Sequence, residues 1–236
     1  MITRAILAGI MVLALAAPAQ AATVSVSGTS VLFAAAPGEA NNVRVTFGPA
    51  SVIIQDRTAP APGAGCVAAD FNGVSCTRAV GSTIVLLFGD GNDQMTASPS
   101  TSAGTSFRIE GGTGNDKLWG GRDRDSIKGG AGNDTLYGEG AKDVLDGGAG
   151  KDRIQGQGTL KGGAGNDFID TIFGDGGSRS IVSKLFGGAG NDRFVTGNGA
   201  KETVDCGSGN DQVTWTLPTG RRDRRDRAKR NCEHRL

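Results

Sequence analysis

Between residues 88 and 214 large apolar side chains are sparse and regularly spaced. From Gly111 to Gln155 one of them returns every nine residues, as Leu118, Ile127, Leu136, Leu145 and Ile154, each flanked by mostly polar neighbours. A lone apolar residue in the middle of a three-residue polar run predicts a short strand with one side chain turned inward. The six residues between successive runs are rich in glycine, which predicts tight turns. Upstream the pattern changes to denser alternation. Thr23–Ser27, Val31–Phe33, Val43–Phe47 and Val52–Ile54 read as strands, and Ile84–Phe88 as a buried strand that leads into the spaced region. Pro60 and Pro62, with nearby glycines, mark a loop.

The first residues carry a different signal. Arg4, the apolar run Ala5–Ala17 and the small-residue triplet Ala19-Gln20-Ala21 read as an export signal, with a mature chain expected from about Ala22, secreted and extracellular. The run is shorter than the roughly 20 residues a bilayer span needs. The expected organisation is a signal peptide at 1–21, a β-rich N-terminal cap at 22–83, a repeat region at 84–214 and a basic C-terminal tail at 215–236.

Composition sharpens the problem. The chain has 40 glycines in 236 residues, and aromatics make up only 5 %. Ordering so much glycine costs backbone entropy, and few large side chains offset it. Something besides an apolar core must contribute. Charge points to what that is. The tail from Arg221 is basic, whereas the body is acidic, and its carboxylates recur at a fixed place.

The nonapeptides beginning at Gly111, Gly120, Gly129, Gly138 and Gly147 all have Asp sixth and Leu or Ile eighth. In-phase copies begin at Phe88, Gly162, Gly187 and Cys206. The pattern resembles the hemolysin-type calcium-binding repeat, or RTX repeat, GGxGxDxUx, over Phe88–Thr214. The resemblance implies an all-β fold, a parallel β-roll or β-solenoid in which each nonapeptide is half a coil. It also implies calcium ions between turns 18 residues apart. Glycines permit the turn, asparagine tolerates it, and carbonyls would face inward. Carbonyl and carboxylate oxygens are the hard ligands calcium prefers.

Following the phase along the chain predicts two unequal edges. Gly156–Lys161 is a shortened half-coil with Leu160 inward. Thr171–Phe186 holds an insertion, with Leu185 inward. Thr196–Asp205 places Glu202 sixth and Val204 inward, and Ala97–Glu110 is a long half-coil with Ile109 inward. One edge then collects Asp93, Asp116, Asp134, Asp152, Asp167, Asp192 and Asp211. The backbone carbonyls of Gly112, Gly114, Gly130, Gly132, Gly148, Gly150, Gly163, Gly165, Gly188 and Gly190 complete the implied ligand set. The other edge has only Asp125 and Asp143 in phase. There place four is Asp123 or Ala141 and place five is Arg124 or Lys142, so the turn is strained and a cation opposes metal entry. We expect an ordered file of several Ca²⁺ ions on the first edge and a weak or empty second edge. Unit charges about 4.7 Å apart on adjacent coils repel by roughly 1 kcal/mol in water and about 3.5 at an effective dielectric of 20.

Four cysteines in an exported chain imply two disulfides. Three pairings are possible, and proximity favours Cys66–Cys76 and Cys206–Cys232. The latter would fold the basic tail over the last coil as a cap; the other reading of that tail is a polyanion-binding segment. The region 22–83 reads as a β-rich cap or irregular early coils joined continuously to the roll, or as a separate binding module. An enzyme is not expected. The single histidine, His234, excludes HExxH zinc chemistry and argues against a Ser-His-Asp triad, and there is no GxSxG elbow. Beyond calcium the partner is left open; an adhesin reading would give it cell-wall polymer, carbohydrate or another copy of itself, and no nucleic acid and no membrane span are expected. A membrane-active toxin is disfavoured by the lack of an amphipathic segment.

Overall fold

The computed structural model describes residues 21–78, 81–97, 104–171, 181–197, 200–215, 227–229, 231–232 and 234–235. Residues 1–20 of the expected export signal, the insertion at 172–180 and the arginine run at 221–226 lie outside the described residues.

Lone apolar residues on short strands bury only if the chain winds back over itself, and it does. Strands Ser106–Thr113, Ser126–Ala131, Asp143–Ala149, Gly158–Ala164, Ser183–Ala189 and Glu202–Ser208 stack in parallel as one sheet. The alternating strands Lys117–Trp119, Thr135–Tyr137, Arg153–Gln155, Phe168–Asp170, Arg193–Thr196 and Gln212–Trp215 stack as a second. No helix occurs among the described residues.

The core is two columns of side chains, one from each sheet. Ile109, Ile127, Leu145, Leu160, Leu185 and Val204 are in register in the first. Leu118, Leu136, Ile154, Ile169, Phe194 and Val213 are in register in the second. All are buried. Each such side chain contributes about 1.5–3 kcal/mol, but the columns are one residue wide per half-coil. The shortened half-coil at 156–161 is present as read, with Leu160 paired to Leu145.

The region before the repeats continues the same two sheets. Ser30–Ala34 pairs in parallel with Thr83–Asp90, and Asn42–Phe47 with Gln94–Ala97, so residues 30–47 form a coil without the nonapeptide motif. Beyond it most of the pairing becomes antiparallel. Thr23–Ser27 pairs with Ser30–Ala34 and takes Ala61–Pro62 in parallel at the edge of one sheet, and Ser51–Gln55, Gly73–Thr77 and Cys66–Ala69 extend the other in that spatial order. The last two strands were not legible from sequence; Cys66 faces Cys76 across them and the two form a disulfide. At the other end Arg227–Ala228 pairs with Thr203–Val204, tied down by the Cys206–Cys232 disulfide. Lys229 and Asn231 both bind the Asp205 carboxylate, at 2.6 and 2.8 Å. Both open ends of the roll are thereby covered.

Candidate metal centre

The turns that lead from the first sheet to the second bring the seven aspartates of the main edge into one file. The backbone N–H of Asp93 donates to Oδ1 of Asp116, Asp116 to Asp134, Asp134 to Asp152, Asp152 to Asp167, Asp167 to Asp192 and Asp192 to Asp211, all at 2.8–2.9 Å. The sequence separations in this file range from 15 to 25 residues. Spatial register therefore follows coils, not a fixed count.

A second ladder runs beside it in the opposite direction. The N–H groups of Asn115, Asn133 and Lys151 donate to Oδ1 of Asn92, Asn115 and Asn133, each at 2.7 Å. Asn191 and Asn210 repeat the pattern with Asn166 and Asn191. Asparagine at place five was read as a residue that tolerates positive φ. None of these asparagines adopts it, and the side chain instead ties neighbouring turns together.

Glycine carries the backbone demand at two places. At place two, Gly112, Gly130, Gly148, Gly163 and Gly188 have φ between +109° and +120°. At place four, Gly114, Gly132, Gly150, Gly165 and Gly190 have φ between +128° and +137°. A Cβ at any of them would strike the carbonyl of the corresponding residue one coil earlier. These carbonyls thus lie along the stack against the next turn. Place one is glycine at 111, 129, 147, 162 and 187 for another reason: the Asp Oδ2 of the same repeat occupies the space where a Cβ would be.

The electrostatics of the file are unbalanced. Oδ2 of Asp93, Asp116, Asp134, Asp152, Asp167 and Asp192 is buried with no hydrogen-bond partner. No ion pair to any of these residues is present among the described residues. Burial pushes the carboxyls up, to about 6 for Asp93 and Asp134 and about 7 for Asp152 and Asp192, against the opposing backbone N–H bonds, and neighbouring carboxylates add to the rise. Asp116 and Asp167 are raised for the same first reason. A row of desolvated anions with orphaned oxygens is a poor resting arrangement without a cation. No three acidic, histidine or cysteine side chains converge on one point among the described residues. Each turn supplies a single carboxylate, so a hard divalent ion held here takes its remaining oxygens from carbonyls and water. The donor set fits calcium.

The other edge is shorter and irregular. Asp125 donates its N–H to Oδ1 of Asp143 at 3.0 Å, and Phe107 donates to Oδ1 of Asp125 at 2.7 Å. Asp125 also accepts from Gly121, which occupies its second oxygen. Asp143 keeps an unpartnered Oδ2, and burial raises its carboxyl to about 8. The file then stops, because the next coils place Gly158 and Ser183 at that register, where the Gly158 N–H donates to Ser183 Oγ. Glu139 and Ala141 are forced to φ of +65° and +56° in its turn, where the main edge has glycine. Asp123 spends a carboxylate oxygen on the N–H groups of Gly104 and Thr105.

Coils of two parallel sheets with glycine turns, carrying one aspartate per turn, define a parallel β-roll. A family model for the RTX calcium-binding nonapeptide repeat matches in four copies, at residues 108–136, 119–154, 155–178 and 184–200. The chain carries RTX calcium-binding repeats and is a calcium-binding β-roll protein. No curated protein and no solved structure matches it.

Proposed function

We propose that this chain is a secreted β-roll whose folding is driven by Ca²⁺ taken up between turns of the main edge. Asp93, Asp116, Asp134, Asp152, Asp167, Asp192 and Asp211 supply carboxylates, and the place-two and place-four glycines supply carbonyls. The observation that carries the reading is the unbroken row of buried, unpartnered Oδ2 atoms. Calcium supplies the compensating charge when bound; the residues supply alignment, since each Oδ1 is already fixed by a backbone N–H. Binding energy then becomes folding energy. Exposure to an extracellular medium supplies calcium at the 10⁻⁴–10⁻³ M scale on which such modules respond. The two disulfides agree with an oxidising compartment. The reading assigns no catalytic step. Calcium titration of the full chain, followed by circular dichroism, tests it: a cooperative gain of β signal is expected, and a chain fully structured in excess EGTA would refute it.

A second reading, a calcium-stapled surface-interaction protein, has its own support. On the outer face of the second sheet Trp119 and Tyr137 stack at 4.9 Å, and Arg153 and Arg193 bracket the Phe168 ring at 4.6 and 5.7 Å. Pull-down on cell walls with and without chelator tests it; retention only with calcium is expected. No helix among the described residues is long and apolar enough to cross a membrane.

A further inference from the structure

The coil at residues 30–47 has no nonapeptide, yet its turn joins the file. The N–H of Asn41 donates to Oδ1 of Asp93 at 2.6 Å, the same bond each aspartate makes to the next. Asn41 therefore occupies the aspartate position one coil earlier. It is 3 % exposed. Its Nδ2 donates to Oδ2 of Asp56 at 2.8 Å, which fixes the amide, and its Oδ1 is left buried with no partner. Asp56 is itself satisfied, accepting also from the N–H groups of Asn42 and Arg57 at 2.7 Å, so it acts as a brace. Oδ2 of Asp93, on the adjoining rung, is the other orphaned oxygen.

The backbone matches as well. The Glu39 carbonyl lies where a Cβ of Gly91 would go, as the Gly91 carbonyl does against Gly114 and the Gly114 carbonyl against Gly132. The place-two series does not extend this far, because nothing lies within 4 Å of a Cβ built on Gly89.

The geometry points to a further divalent-cation site between the turn of residues 36–41 and that of 89–93, with Asn41 Oδ1, Asp93 Oδ2 and the Glu39 carbonyl as protein donors. This site rests on the calcium reading of the main edge and lengthens the file by one ion into a segment that no repeat motif marks. It has one carboxylate where the sites between repeats have two, and it lacks the place-two carbonyl. It is therefore the weakest of the file and the last to fill.

Crystals of the full chain grown in calcium, with the anomalous signal of calcium measured, decide the matter. A peak between Asn41 and Asp93 is expected. Peaks between later coils with none there would overturn this site and leave the proposed function standing; no peak anywhere would overturn both. Native mass spectrometry should count one ion fewer for Asn41→Leu than for the parent. An unchanged count in Asn41→Leu would overturn the site. Should that variant fail to fold in calcium, the anomalous map of the parent remains decisive.

Discussion

Asp116 gives its backbone N–H to Oδ1 of Asp134 and leaves Oδ2 of Asp134 buried without a partner. The hydrogen bond positions the carboxylate, and the orphaned oxygen is what a cation would satisfy. Replacing Asp134 by Ala should weaken the calcium-induced transition by at least the roughly tenfold loss typical of changes around a metal site. Asp143→Ala should have a smaller effect, because its file ends at the next coil. Calcium titrations of both variants by circular dichroism check this, and equal midpoints would contradict the unequal edges.

Acidity should act on the metal-free chain in a defined direction. The file carboxyls are raised above their ordinary value of 3.8, to about 6 for Asp134 and about 7 for Asp152. A raised folded-state value means the fold binds protons more readily than the unfolded chain, so this contribution is full below pH 3.8 and is lost as pH rises through about 6–7. In EGTA the melting temperature attributable to the file should fall between pH 5 and pH 8, roughly, and calcium should restore it at pH 8 with release of protons near neutrality. Thermal melts across pH, with and without calcium, measure both. A metal-free melting temperature that climbs over this range would contradict the assignment.

Glycine substitutions separate backbone strain from crowding. Gly132 has φ +135° and a Cβ there would meet the Gly114 carbonyl, whereas Gly28 has φ +59° with open space around it. Gly132→Ala should cost about 3 kcal/mol or more and Gly28→Ala about 1 kcal/mol. Chemical denaturation in saturating calcium gives both values.

How much of this was readable beforehand depended on which force set the register. Inside the repeats the spacing of Leu118, Ile127 and Leu136 carries the winding, and even the short half-coil ending in Leu160 follows from where the next apolar residue falls. The coil at residues 30–47 was legible only as an irregular early coil, because its turn, Ala36 to Asn41, lacks the glycine frame. Its membership shows only when Val31 pairs with Ile84 and Val43 with Met95. The strands Cys66–Ala69 and Gly73–Thr77 escaped for another reason. Cys66–Ala69 is short and partly exposed, held by antiparallel pairing and the disulfide, and Gly73–Thr77 turns only Val74 and Cys76 into the core. The asparagine ladder was visible as a recurring residue, but its role requires the stacking distance between coils.

The C-terminal staple should matter more than its position at the end suggests. Cys206 sits in the last full strand of the first sheet, and its bond to Cys232 closes a loop of 26 residues. A loop of that size is worth about 3 kcal/mol. The double variant Cys206→Ser/Cys232→Ser should lose the pairing of Arg227–Ala228 and expose Val204 at the end of the core column. Hydrogen exchange should show fast amides at 202–208 and near-parent protection at 126–131. Uniform loss of protection would contradict an end-local role.

From the strand Thr83–Asp90 onward the connections from first to second sheet are all of one size. Asp90 leads to Gln94, Thr113 to Lys117, Ala131 to Thr135, Ala149 to Arg153, Ala164 to Phe168, Ala189 to Arg193 and Ser208 to Gln212, always four positions on. Among these coils every difference in length falls on the return connections, from Gln155 to Gly158 at the shortest to Asp170 to Ser183 at the longest. The molecule thus has a margin of constant length and a permissive one. Duplication, deletion or the graft of a foreign peptide on the permissive margin changes what the protein displays to its surroundings while the opposite side keeps an ungapped line of ligating turns.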